Sequence, residues 1–142
     1  MTLKLQIITP EKIVYQDVVD QITAPTKNGE ITILPEHIGL LTQIVPGEIV
    51  VKKGQVSQAL AITGGFMEVG KDSVSILADY AIRAEEIEVL KAQEAQKKAQ
   101  KLMEEKVSEQ DFAAAQSEMI KAITQLKVAN KYKRHPRKPS EI

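Results

Sequence analysis

"VSILADYAIRAEEIEVLKAQEAQKK", residues 74 to 98, begins on one periodicity and ends on another. Val74 and Ile76 alternate with Ser73 and Ser75, the two-residue repeat of a half-buried strand. From Glu85 onward the strong helix formers Ala, Glu, Lys, Gln and Leu take over, and neither Gly nor Pro occurs until after Lys133. The change of period near residue 80 divides the chain into an all-β unit and an all-α unit.

Upstream of that point the strand pattern recurs. Leu3, Leu5 and Ile7 alternate with Lys4 and Gln6, Ile31 and Ile33 flank Thr32, and Val56, Leu60 and Ile62 share one parity with Gln58. Between these runs lie turn residues at Thr9-Pro10, Lys27-Asn28-Gly29, Pro46-Gly47, Lys53-Gly54, Gly64-Gly65 and Gly70-Lys71-Asp72. Short strands with turns every eight to twelve residues predict an antiparallel sandwich or flattened barrel.

Downstream, Ser108 stands three residues before Asp111 as a helix N-cap and divides the region into two helices. The second carries Phe112, Ala115, Met119, Ala122, Leu126 and Ala129 at spacings of three and four; the first offers Ala92, Ala95, Ala99 and Leu102. Two helices with a short connection fold back as an antiparallel hairpin. Residues 85–120 carry nine acids and five bases, residues 121–142 seven bases and one acid, so the halves attract. Exposed pairs of this kind contribute about 0.2 to 1 kcal/mol each. A seam of alanines buries little area at about 25 cal/mol per Å². The hairpin is therefore expected to be weakly held and free to move. The segment KYKRHPRKPSEI has two prolines and little apolar content, which predicts a disordered basic tail over 134–142. The domain reading is thus 1–84, 85–133 and 134–142.

The 142 residues carry no net charge and no cysteine. A neutral chain is not one whose whole surface recruits nucleic acid, and without thiols there is neither a disulfide framework nor a thiolate metal site. The N-terminal MTLKLQIITPEK alternates where a signal peptide would be unbroken, and no apolar run approaches the ~20 residues of a membrane span. Membrane association is therefore expected only through partners. Phosphate-cradling glycine motifs are missing, and His37 and His135 are too far apart in sequence to form a metal-ligand motif. Glu30 and Glu36 follow a glycine turn and a proline, where solvated carboxylates are the ordinary reading and acid–base catalysis the sharper one. No hydroxyl nucleophile has a local base, so the chain is expected not to be an enzyme. Among the basic residues near the end of the sequence stands a single aromatic, Tyr132; a plain solvated tail is the ordinary reading and an acidic protein partner the sharper one, ahead of a nucleic acid.

Taken in order, the N-terminal strand with Thr9-Pro10, GEITILPEHIGLLTQIVPG, ITGGFMEV, VSILADYAIRAEEI and the two Ala-rich helices ending QLKVA resemble the epsilon subunits of bacterial F-type ATP synthases, called delta in mitochondria. The resemblance runs to about residue 132. It implies a ten-stranded sandwich with a two-helix hairpin in the central stalk of the rotor. The sandwich would bind the gamma subunit and rest on the c-ring loops, coupling proton-driven rotation to synthesis by the alpha and beta subunits. The subunit would be peripheral on the cytoplasmic face of the bacterial inner membrane, without inserting into it.

The resemblance also implies roles. Glu30, with Ile31 beside it, would meet the c-ring. His37 and Thr42 would lie towards gamma, although a hydrogen-bonded loop histidine without a partner remains an alternative. Glu36-His37-Ile38-Gly39-Leu40-Leu41 stands where the family carries G-H-A-P-L-L, so Glu36 replaces a glycine. An extended hairpin would present Lys121, Lys127, Lys131, Lys133 and Arg134 to acidic residues of beta and block ATP hydrolysis. No cofactor is implied. Some members bind regulatory ATP on the hairpin; Glu88, Lys91, Lys121 and Gln125 occupy the matching positions, but lysine lacks the bidentate fork of the usual arginine. The competing reading without the resemblance is a free-standing interaction module with a partner-binding hairpin.

Overall fold

A computed structural model describes residues 1–134, with side chains through Tyr132. Ten strands come first: β1 (Leu3–Ile8), β2 (Ile13–Val19), β3 (Gln21–Thr26), β4 (Gly29–Ile33), β5 (Leu40–Ile44), β6 (Gly47–Lys53), β7 (Val56–Ile62), β8 (Gly65–Val69), β9 (Ser73–Ala78) and β10 (Ala81–Arg83). Two helices follow, α1 (Val89–Glu104) and α2 (Glu109–Arg134). The strands form one sheet in the order β10-β7-β6-β3-β5-β8-β9-β1-β2, with β4 on the free side of β3. Neighbours are antiparallel except β1 and β9. The sheet folds over where β3 meets β5 through the pair Thr26–Ile44, so that β10-β7-β6-β3-β4 faces β5-β8-β9-β1-β2 across a shared core.

The alternation in the sequence is what closes this sandwich. Leu3, Leu5 and Ile7 of β1, Leu60 and Ile62 of β7, and Val74 and Ile76 of β9 are all buried. At the open rim β2 is tied across by polar links. The Lys53 ammonium donates to both Asp17 oxygens at 3.0 and 2.9 Å, and the Arg83 guanidinium donates to the Val14 carbonyl at 3.4 Å. The lysine hydrogen bond lowers the Asp17 carboxyl below the usual carboxylate range. The barrel is thus nearly closed, as the sequence pattern predicts.

Gly65 departs from its expected place. It begins β8 instead of ending a turn, and it pairs with Ile44 on one side and Ala78 on the other. Its φ is +145°, and a Cβ here would collide with the Leu77 carbonyl oxygen and lie 2.9 Å from the Ala78 Cα. Only glycine lets β9 approach so closely.

The first helix also starts later than composition suggests. Ala84–Glu86 make a single 3₁₀ turn, Ile87 and Glu88 are extended, and α1 begins at Val89. Ile87 packs against the cluster of Ala61, Ala84 and Val128. The Ser108 cap is present: its hydroxyl accepts from the Asp111 N–H at 3.1 Å. Ala92 and Ala99 of α1 and Ala115, Ala122 and Ala129 of α2 are buried, the seam expected of the hairpin, whereas Phe112 and Leu102 at its tip remain 40% and 37% exposed. Arg134, assigned by composition to the tail, is the last residue of α2; the rest of that tail lies outside the described residues.

A second face of α2 was not anticipated. Thr124 and Val128 are buried away from the alanine seam, and Val128 packs on Ala61 of β7 and Ala84, with Ala59, Ile82, Ile87 and Tyr132 around them. The hairpin therefore lies folded on the outer face of β6, β7 and β10, with α2 innermost.

Candidate functional surfaces

Glu30 is exposed at the start of β4, opposite Pro25. The turn before it is fastened by the Thr26 hydroxyl, which donates to the Gly29 carbonyl and accepts from the Asn28 N–H. Ile31 is half-buried against the core. From Glu30 to Ile33 the strand carries the chain roughly 10 Å, at ~3.3 Å per residue. His37 lies beyond that far end, so Glu30 and His37 stand at opposite ends of β4 and do not form one site.

The His37 loop, residues 34 to 39, is pinned to the β8–β9 turn by the Glu36 N–H, which donates to the Lys71 carbonyl at 2.8 Å. The half-buried imidazole places Nδ1 2.7 Å from the Ile38 carbonyl. A carbonyl only accepts, so Nδ1 carries the hydrogen, and in the neutral ring Nε2 is left to accept from outside. Glu36 has φ +65°, a left-handed conformation that favours glycine. Glu36→Gly is expected to stabilise the fold by about 0.5 to 1 kcal/mol, read as a higher urea midpoint. Thr42 is half-buried in β5, opposite Met67, on the parity of core residue Ile44.

The neighbouring outward positions are the ones that sequence reasoning missed. Register aligns Phe66 with Leu77, Leu77 with Ile8, and Ile8 with Ile13, one row across β8, β9, β1 and β2. Phe66, Leu77 and Ile13 are 56%, 60% and 52% exposed, and Leu41 on β5 is 70% exposed. A register irregularity at Ile7/Ile8 brings Ile13 opposite Ile8. The available signal was an apolar residue on the wrong parity: Phe66 beside buried Met67, and Leu77 beside buried Ile76 and Ala78. The row occupies the opposite layer of the sandwich from the one α2 covers.

On the hairpin side, the lysines divide. Lys131 donates to Glu48 at 2.8 Å, and that bond raises the Lys131 amine above the ordinary lysine range. The Lys121 ammonium sits 4.0 Å from the Tyr80 ring centroid, and Gln125 donates to the Tyr80 hydroxyl at 3.2 Å. Burial is the chief cause that raises the Tyr80 phenol above its usual range, helped by Glu11, Glu118 and Glu86. Lys127 is exposed. The side chains of Lys133 and Arg134 lie outside those described. Of the residues matched to an ATP site, Glu88 and Lys91 bridge each other at 2.9 Å near the start of α1, while Lys121 and Gln125 are engaged with Tyr80. Among the described residues no group of His, Asp or Glu side chains could hold a metal ion, and no helix is long and apolar enough to cross a membrane.

The two units of the fold correspond to two family models. Residues 2–84 match the ATP synthase delta/epsilon chain β-sandwich domain, and residues 85–130 match the ATP synthase delta/epsilon chain long α-helix domain. An ATP synthase epsilon chain of Dehalococcoides mccartyi is 42% identical over 135 residues, covering 94% of this chain and 96% of the relative. That of Herpetosiphon aurantiacus is also 42% identical, covering 91% and 95%. A chain in the cryo-EM structure of the Euglena gracilis mitochondrial ATP synthase superposes with TM-score 0.71 at 25% identity, over 92% of this chain and 81% of that one. Sandwich, hairpin and relatives agree along nearly the whole sequence, and the chain belongs to the ATP synthase delta/epsilon family, a non-catalytic component of that complex.

Proposed function

We propose that this chain works in the central stalk as a coupler and a brake: the sandwich holds gamma and rests on the c-ring, and the hairpin, when it leaves the sandwich, inhibits ATP hydrolysis. The observation that carries the reading is the pair of unlike apolar surfaces on the two layers. The row of Phe66, Leu77, Ile8 and Ile13 is uncovered and made of large side chains, suited to a permanent partner. The surface under α2 is made largely of small ones, Ala59, Ala61 and Ala84, suited to a contact that is made and broken.

Gamma would take the large-residue face, continuous with Leu41 and the His37 loop, whose free Nε2 accepts a hydrogen bond from it. Glu30 and Ile31, at the other end of β4, would reach the c-ring without competing for gamma. The subunit would thereby be peripheral on the cytoplasmic side of the membrane. The hairpin brake rests on marginal energetics: two conformations within a few kcal/mol of each other can be exchanged by a partner or ligand.

Deleting residues 85–142 tests both halves at once. The sandwich core contains no hairpin residue, so the remainder is expected to fold, co-purify with gamma and support assembly, while ATP hydrolysis by the complex rises severalfold. Unchanged hydrolysis would remove the brake and leave the coupler; failure to capture gamma would remove the coupler.

A further inference from the structure

The lysines proposed to inhibit are not idle in the folded hairpin. At 100° per residue, Lys121, Thr124, Val128 and Lys131, at steps of three and four, fall on one stripe of α2. The burial of Thr124 and Val128 and the bonds of both lysines show that this stripe is the one seated on the sandwich. The sandwich meets it with matched chemistry. Glu48 at the start of β6 takes Lys131, and the Tyr80 ring takes Lys121 while its hydroxyl takes Gln125. Glu48 is the fixed member of its pair, with a side chain 17% exposed against 66% for Lys131.

Resting on the inhibitory reading above, we propose that the sandwich is an internal competitor for the inhibitory lysines: Glu48 and Tyr80 occupy Lys131 and Lys121 when the hairpin is folded, so an acidic protein partner gains them only by displacing these residues. Glu48 mimics the partner's carboxylate. Any acidic surface that binds this face of α2 must bind it in the open state alone, and the closing contact and the inhibitory contact exclude each other. Around the clamp the seat is incompletely filled: a groove of about 470 Å³ runs between Pro46-Gly47 and Ile120, Ile123 and Lys127. The polar clamps therefore hold a larger share of the folded state than they would in a close-packed interface.

The proposal predicts that removing an acid from the sandwich strengthens inhibition by the helix. In the full chain, labels on Ser57→Cys and Ser117→Cys, free of background thiols, read hairpin opening by energy transfer. Glu48→Gln is expected to raise the open population about threefold to tenfold, as loss of a half-buried charge-assisted bond should. Tyr80→Leu should do likewise, and Tyr80→Phe less, since it keeps the ring under Lys121. The exchanged pair Glu48→Lys with Lys131→Glu should close the hairpin again. In the reassembled complex Glu48→Gln should lower hydrolysis by a similar factor, whereas the exchanged pair, closed but lacking Lys131, should not inhibit beyond the wild type.

An open population unchanged by Glu48→Gln overturns the clamp, whatever the hairpin does to hydrolysis. Opening without stronger inhibition overturns the competition. If complexes with and without the hairpin hydrolyse ATP equally, the inhibitory reading fails and the competition with it, while the label readout still decides the clamp.

Discussion

Gly65→Val is expected to destabilise the sandwich by about 2 to 6 kcal/mol, a large fraction of the 5 to 15 kcal/mol typical of a folded domain. Two costs add. A φ of +145° is a backbone conformation that a β-branched residue tolerates poorly, at about 1 to 3 kcal/mol. The new Cβ then meets backbone atoms of Leu77 and Ala78, which cannot swing aside as a side chain would, for about 1 to 3 kcal/mol more. Relief requires β8 and β9 to part. Gly54→Ala is the control: its φ is +62° but nothing lies within 4 Å of the added carbon, so only the backbone term of about 1 kcal/mol is expected. Urea unfolding of the two variants separates the costs. A loss at Gly65 no larger than at Gly54 would mean that the close approach of β9 is not required.

Leu77→Asp should have the opposite profile. Leu77 is 60% exposed and faces away from the core, so stability should change by no more than about 0.5 kcal/mol. Under the stalk reading it sits between Phe66 and Ile8 in the middle of the row that meets gamma. A carboxylate there must be desolvated against apolar side chains, and central positions of this kind cost 2 kcal/mol or more, so affinity for gamma should fall by about thirtyfold or more. Phe66→Ala should be similar and Gln43→Ala, on the flank, much milder. Binding of the variants to isolated gamma by calorimetry decides it. Unaltered affinity for Leu77→Asp would move the gamma contact away from this face, while a lowered urea midpoint would mean the residue supports the fold after all.

How far the sequence disclosed this arrangement depended on whether each residue serves one environment or two. Leu3, Leu5 and Ile7 serve one, the core, and plain alternation found them. Alanines on the α1 side of α2 likewise repeat cleanly and gave the hairpin seam. The other face of α2 combines Lys121, Thr124, Gln125, Val128 and Lys131, and this looks solvated because its apolar content is a valine between polar groups. Its burial depends on Ala59 and Ala61, more than sixty residues upstream, being small enough to admit a helix. Ile87 was hidden for the same reason. Helix propensity is local, and it does not register the packing of Ile87 against Ala61, Ala84 and Val128.

The candidate sites followed the same division. Glu30 and His37 stand out as a polar residue beside a turn and a lone loop histidine, and their opposite placement follows from the length of β4. Thr42 shares its parity with Ile44, which puts it on the inner side, and the motif alone gave no reason to look there. Phe66 and Leu77 adjoin buried Met67 and Ile76 in unbroken apolar runs, where periodicity does not separate core from surface. A strand that is apolar on both parities has two dry faces, and each needs a partner.

The parallel pairing of β1 with β9 sets an order of events as the chain is made. Leu3, Leu5 and Ile7 leave the ribosome long before β9, yet β1 lies between β2 and β9, and Lys4 through Ile8 must wait for Ser73 through Leu77 before their second edge is satisfied. Until then β1 and β2 are a lone hairpin, a unit only marginally stable in water. Closure of so long a loop is slow, and until β9 arrives the nascent sandwich carries an unpaired strand edge of the kind another chain can pair with.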